Sequence, residues 1–205
     1  VSITVQHRPS LADRISIAVL VGVGIVIAGG AVVKAVIGIA DAAGNHDIPV
    51  LAQFAQTVAE APIGPDGAMR EVRLDQAHIT AHELPAASFA ALLAQHVFAA
   101  VGVVGFVVCL SILSLNFLRG RIFCQANTIA VSVAAVGGLL VWFVVTMLGN
   151  MVANGAFARI SGRTFDNVVI SVPVEQFILG GFAAAVACTA FSIGDRLRRD
   201  TEGLV

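Results

Sequence analysis

The stretch "HITAHE" places His78 and His82 four residues apart, with Glu83 beside the second. On a helix that spacing puts two imidazoles on one face, where they could hold a divalent metal. His46 and His96 are further imidazoles that could join them. The order is not HExxH, however, and no spacing fixes a third ligand, so His78 and His82 are weak candidates and no metal is expected. The cysteines Cys109, Cys124 and Cys188 form no CxxC or Cys/His pattern and read as small hydrophobic residues. No phosphate-binding glycine loop, nucleophile elbow or kinase motif appears. The chain is therefore expected to have no catalytic residue, to need no cofactor, and not to be an enzyme.

Two other charged groups stand out. Lys34 and Glu175 are the ionisable residues closest to long apolar runs, and they form a candidate intramembrane pair. In "NFLRGRIFCQAN", residues 116–127, Arg119 and Arg121 flank Gly120 between two uncharged stretches. Near the end, "GDRLRRD" carries Arg196, Arg198 and Arg199. These five arginines are candidate contacts for a cytoplasmic partner or a lipid headgroup.

The elements that position these residues follow from composition. The chain has 205 residues, is 58% hydrophobic and only 12% charged, and has a mean hydropathy of +0.91. A soluble fold with so few charges would expose large apolar patches and aggregate, so membrane residence is the leading class. The net charge of −1 gives no global basic character for direct nucleic-acid binding. A bilayer core about 30 Å thick takes roughly 20 apolar residues in a helix. Runs of that kind predict spans at approximately 15–37, 97–118, 128–151 and 174–194, with 86–96 as a helical lead-in to the second. The first run exceeds the apolar region of a cleaved signal peptide, about 7–15 residues, and reads as a membrane anchor. The expected fold is an all-α integral membrane domain over 1–205, a four-transmembrane-helix bundle. A small extracytoplasmic cap comes from the loops at approximately 41–85 and 152–173.

Orientation follows from basic residues near the span ends. Arg8, Arg14, Arg119, Arg121, Arg196, Arg198 and Arg199 share one side, packed into short segments. Lys34, Arg70, Arg73, Arg159 and Arg163 fall on the other, together with acids such as Asp166 and Glu175. Both termini are therefore expected in the cytoplasm. Gly120 permits the inner turn, and Asn127 is expected to cap the third span by accepting backbone N–H bonds. Glycines in the spans are expected to bring helices close together or to mediate a homo-oligomer.

In the first outer loop, "DIPVLAQFAQTVAEAP" spaces Val50, Leu51, Phe54 and Val58 as on a short amphipathic helix. "IGPDGAM" is a turn in which Gly67 tolerates positive φ. "REVRLD" alternates, with Val72 and Leu74 on one face. In the second loop "FARISGRTF" and "NVVISV" read as short extended pieces, and strands from the two loops are expected to pair.

The inner hairpin carries a resemblance. "LNFLRGRIFCQANTIAVSVAAVGGLL" resembles the YoaS-like four-span bacterial membrane proteins, the DUF two-nine-seven-five family. Gly120, Phe123 and Asn127 match the family's Gly-x-x-Phe and span-opening Asn. Cys124 stands where the family often has Thr, and the basic residues that often follow the Asn are missing here. The resemblance implies a bacterial inner-membrane protein with no catalytic residue. It also implies a cytoplasmic helix-turn-helix regulator as partner. The functional expectation is a non-enzymatic sensing, regulatory or accessory protein, free or within a larger membrane complex. The alternative is a small transporter or permease subunit.

Overall fold

The computed structural model describes residues Ser10–Phe165 and Val169–Glu202. Arg8, Asp166 and the first two residues of "NVVISV" lie outside them. The order of elements is α1 (Leu11–Ala42), β1 (Ile48–Ala61), β2 (Arg70–Ala81), α2 (Ala86–Leu118), α3 (Gln125–Ile160) and α4 (Val174–Glu202). The chain is mostly helical, and all four α-helices are long and apolar enough to cross a membrane. Each expected span lies inside one of them. The lead-in at 86–96 is not a separate surface helix but the first turns of α2, because no Gly or Pro interrupts it. Likewise α3 runs on to Ile160 through the start of "FARISGRTF", which is helical and not extended. In the most apolar windows of α1 and α4 no residue is buried, and few are in α2 and α3, so the helices turn their apolar side chains outward.

The chain divides into two compact units. The first contains α1 as far as Ala35, the chain from Phe98 to Trp142, and the chain from Pro173 onward. Its α1 starts with a capping box. The Ser10 amide donates to Asp13 at 2.9 Å and the Asp13 amide donates to Ser10 Oγ at 3.1 Å, which satisfies two otherwise free helix N–H groups. The core is thin and made of small side chains: Cys109, Leu113, Ala130 and Val131, packed by Ala134, Ala187, Cys188 and Phe191. Trp142 lies against Phe177 with ring centroids 5.6 Å apart. The expected close packing at glycines holds at Gly102, against Val141, and at Gly180, against Leu139. Gly22, Gly29, Gly105 and Gly137 face open space instead.

The second unit contains Val36–Val97 and Phe143–Val172. Here β1 and β2 form a two-stranded antiparallel sheet joined by a turn at Pro65–Gly67, where Asp66 and Gly67 both take positive φ. The amphipathic helix expected at 47–62 is therefore a strand. Its two halves have opposite parity. Ile48, Val50 and Ala52 are buried, and the register then shifts between Gln53 and Thr57, so that Thr57 and Ala59 turn inward while Val58 is exposed. A bulge of this kind hides a period-two pattern from any fixed-period reading. The alternation expected in "REVRLD" does hold, with Val72 and Leu74 on the less exposed face. Among the described residues the strands pair within the first loop, and none pairs between the loops.

The hairpin's inner face packs on the ends of the helices. Val50, Ala52, Ala81 and Leu84 join Ala91 of α2 and Val152, Ala156 and Phe157 of α3 in one buried cluster. Phe54 meets Phe157 edge to face at 5.0 Å. α2 and α3 approach so closely here that a Cβ on Gly155 would fall on Ser88. Ser88 Oγ donates to the Met151 carbonyl at 3.2 Å, and Gln95 Nε2 donates to that of Val145 at 3.3 Å.

Candidate functional site

The hairpin between α2 and α3 is built by two asparagines, Asn127, which is buried, and Asn116, which is half-buried. α2 ends in a Schellman motif: the Arg121 amide donates to the Asn116 carbonyl at 2.9 Å and the Gly120 amide to that of Phe117 at 3.0 Å. Gly120 sits at φ +69, the left-handed position the motif requires. Asn127 is fully buried and plays the reverse of the role expected for it. Its Nδ2 donates to the carbonyls of Arg121, at 2.8 Å, and Ile122, at 2.7 Å. Its Oδ1 accepts from Asn116 Nδ2 at 2.7 Å. The α3 N-terminus begins a turn earlier, where the Cys124 carbonyl accepts from the amides of Asn127 and Thr128. Asn127 therefore holds the loop's carbonyls and caps no helix amide.

The tail arginines divide by role. Asp195 is buried at the end of the apolar part of α4. Arg199 bridges to it at 2.8 Å and Arg198 at 3.6 Å, so these two guanidiniums balance a buried carboxylate. Arg119, Arg121 and Arg196 make no ion pair among the described residues and are the better candidates for an outside contact. Phe123, between Arg121 and α3, packs on Gly194 and lies 5.8 Å from Phe191, which ties the hairpin to α4.

Lys34 and Glu175 are both exposed, and no ion pair joins them. Glu175 lies in the first turn of α4, where a negative charge complements the helix dipole.

The histidines do not form the expected helical pair. His78 lies on β2 opposite Leu51, with its side chain on the exposed face. On a strand, four residues span roughly 13 Å, too far for both imidazoles to bind one ion. His82 follows the strand and pairs with Asp47, Nδ1 to Oδ1 at 2.7 Å, with His46 6.2 Å away ring to ring. Among the described residues no group of three metal-binding side chains comes together.

A recurring device escaped the sequence reading. Three asparagines each grip the backbone of one distant residue through both amide atoms. Asn45 holds Leu84, with its Nδ2 donating to the carbonyl and its Oδ1 accepting from the amide, both at 3.0 Å. Asn150 holds Ser171 in the same way at 2.9 and 3.3 Å, and Asn154 holds Val169 at 3.1 and 3.2 Å. Asn150 and Asn154 are one helical turn apart, a rise of roughly 6 Å, close to the two-residue repeat of an extended chain. α3 thus offers an edge that segment 169–171 pairs with, while Ile170 points outward, 72% exposed. Backbone in an apolar setting needs such partners. An Asn inside an otherwise uncharged run was the available signal.

The second unit also carries an open cleft of about 480 Å³ lined by Glu83, Leu84, Pro85, Ala158, Arg159, Gly162 and Arg163. Arg159 donates to Glu83 Oε2 at 2.7 Å across it. A narrower apolar groove of about 120 Å³ lies between α2 and α3, lined by Gly102, Gly105, Gly137 and Gly138 among others. Comparison with protein-family models, curated proteins and solved structures finds no match for this chain.

Proposed function

We propose that this chain is a multi-pass protein of a bacterial cytoplasmic membrane with a non-enzymatic sensing, regulatory or accessory role. The observation that carries the membrane reading is the outward-facing apolar surface of four long helices, which water would not tolerate and lipid would. The crowding of Arg119, Arg121 and Arg196, which make no ion pair among the described residues, into short segments supports a cytoplasmic N-terminus, inner hairpin and C-terminus. The β-hairpin with its buried helix-end core then forms an extracytoplasmic cap, and the arginines face a cytoplasmic partner or anionic lipid. The resemblance to YoaS-like proteins supports a small DNA-binding regulator as that partner. Transport, the alternative, draws on Lys34 and Glu175 and finds less support, since both are exposed and the four helices run unbroken.

Thiol labelling in intact cells and in inverted vesicles tests the orientation. Cys124 in the hairpin should react with an impermeant maleimide only from the cytoplasmic face, and a cysteine introduced by Asp66→Cys only from the opposite face. Labelling of both from one side would sink the topology. Changing Arg119 and Arg121 together to Ala should release a bound cytoplasmic partner; retention would remove the hairpin as its docking point.

A further inference from the structure

We propose that the cleft between Glu83 and Arg163 binds a phosphate group, and that Glu83 occupies part of that site in its absence. The inference rests on the proposed sensing or regulatory role and adds the chemical class of a ligand.

The cleft is prepared on both sides. On one wall Asn45 fixes the backbone of Leu84, which is buried, and so sets the position of Glu83 next to it. On the other, α3 ends in a Schellman motif: the Arg163 amide donates to the Ala158 carbonyl at 3.0 Å, with Gly162 at φ +58. Arg163 itself is held at φ +67, a left-handed conformation that strains a side-chain-bearing residue. Its guanidinium makes no ion pair or hydrogen bond among the described residues.

Two guanidiniums therefore line one open cavity, and among the described residues a single carboxylate lines it with them. Guanidinium forks match phosphate oxygens, and a phosphate has enough oxygens to engage two forks at once. Glu83 engages one fork now, as a ligand's anion would. The exchange faces little resistance, because the Arg159 and Glu83 side chains are 57% and 46% exposed and water screens an exposed pair of this kind. Leu84, Pro85 and Ala158 give the cleft an apolar side able to cover the carbon part of a phosphate ester.

The phosphate could belong to a soluble phosphorylated compound or to a phospholipid headgroup. The test uses the full chain in two arms. Detergent-solubilised protein is titrated with inorganic phosphate by calorimetry at constant ionic strength. In parallel, nanodiscs of phosphatidylcholine alone, or with phosphatidylglycerol, are compared for lipid retained on the protein by native mass spectrometry. Binding in the first arm identifies a soluble source, and selective phosphatidylglycerol retention in the second a headgroup. Arg163→Gln should weaken binding in the responding arm by about tenfold, the loss of a charge-assisted contact, and Arg163→Lys by less. Glu83→Gln should tighten it, since the competing carboxylate is gone. Thermal unfolding of each variant checks that it is folded. No binding in either arm, unchanged binding in folded Arg163→Gln, or weaker or unchanged binding in folded Glu83→Gln would overturn the proposal. Binding in detergent does not depend on orientation, so its failure is separate from a failure of the topology test.

Discussion

Replacing Asn127 by Ala should unfold the hairpin between α2 and α3 more effectively than any nearby surface change. The side chain is fully buried and makes three hydrogen bonds, two to loop carbonyls and one from Asn116. Hydrogen bonds contribute about 0.5–1.5 kcal/mol each in proteins generally and about 0.6 on average between membrane helices. Losing three should cost about 2–4 kcal/mol. Asn116→Ala breaks only one of them and should cost about 1 kcal/mol. Asn127→Asp keeps the shape and the bond from Asn116 but turns an oxygen toward the carbonyls of Arg121 and Ile122, so it should be at least as damaging as Ala. Trp142 is the only tryptophan and lies in the same unit against Phe177, so its fluorescence reports unfolding during titration of mixed micelles with denaturing detergent. An Asn127→Ala protein within about 0.5 kcal/mol of wild type, the scale of an ordinary surface change, would refute the reasoning, as would Asn116→Ala costing more than Asn127→Ala.

Two further outcomes follow from the second unit. Asn154→Leu should orphan the backbone of Val169, and Asn150→Leu that of Ser171. Amide exchange at the affected residue should speed up, with a stability loss of about 1–2 kcal/mol each; unchanged exchange would dismiss the asparagine grip. Val50→Asp places a carboxylate in the buried cluster and should cost about 3 kcal/mol or more, whereas Leu51→Asp, on a residue 53% exposed, should stay within about 0.5 kcal/mol. Equal effects in thermal unfolding would mean that the strand faces are wrongly assigned.

The helices were legible because lack of charge over 19 or more residues is a local property, visible one residue at a time. The turn glycines Gly67 and Gly120 were legible for the same reason, since positive φ is a local demand. β1 was not. Its inward residues change from even to odd positions at the bulge, and Val50, Leu51, Phe54 and Val58 fit a helical spacing that only the distant pairing with β2 overrules. The asparagines were missed because their partners are main-chain groups, which every residue type carries and no motif announces. Asn127 was noticed, but its direction of donation was reversed: an Asn before an apolar run looks like a cap until its own buried surroundings are known. Asp195 was passed over among the tail's charges, although its two arginines stand three and four residues on, the spacing that makes pairs on a helix.

Asn150 and Asn154 also impose an order in time. A ribosome delivers α3 before it delivers residues 169–171, at about 5–20 residues per second. During that interval two amides on α3 have no main chain to hold, and an apolar surrounding offers them nothing in exchange. The C-terminal turns of α3 are therefore better placed in water, or against the finished hairpin, until Ser171 emerges. Once it does, the segment can settle on α3 and leave Val174 positioned to begin α4. The polar pair thus makes the arrival of the segment before the fourth helix the event that completes the third.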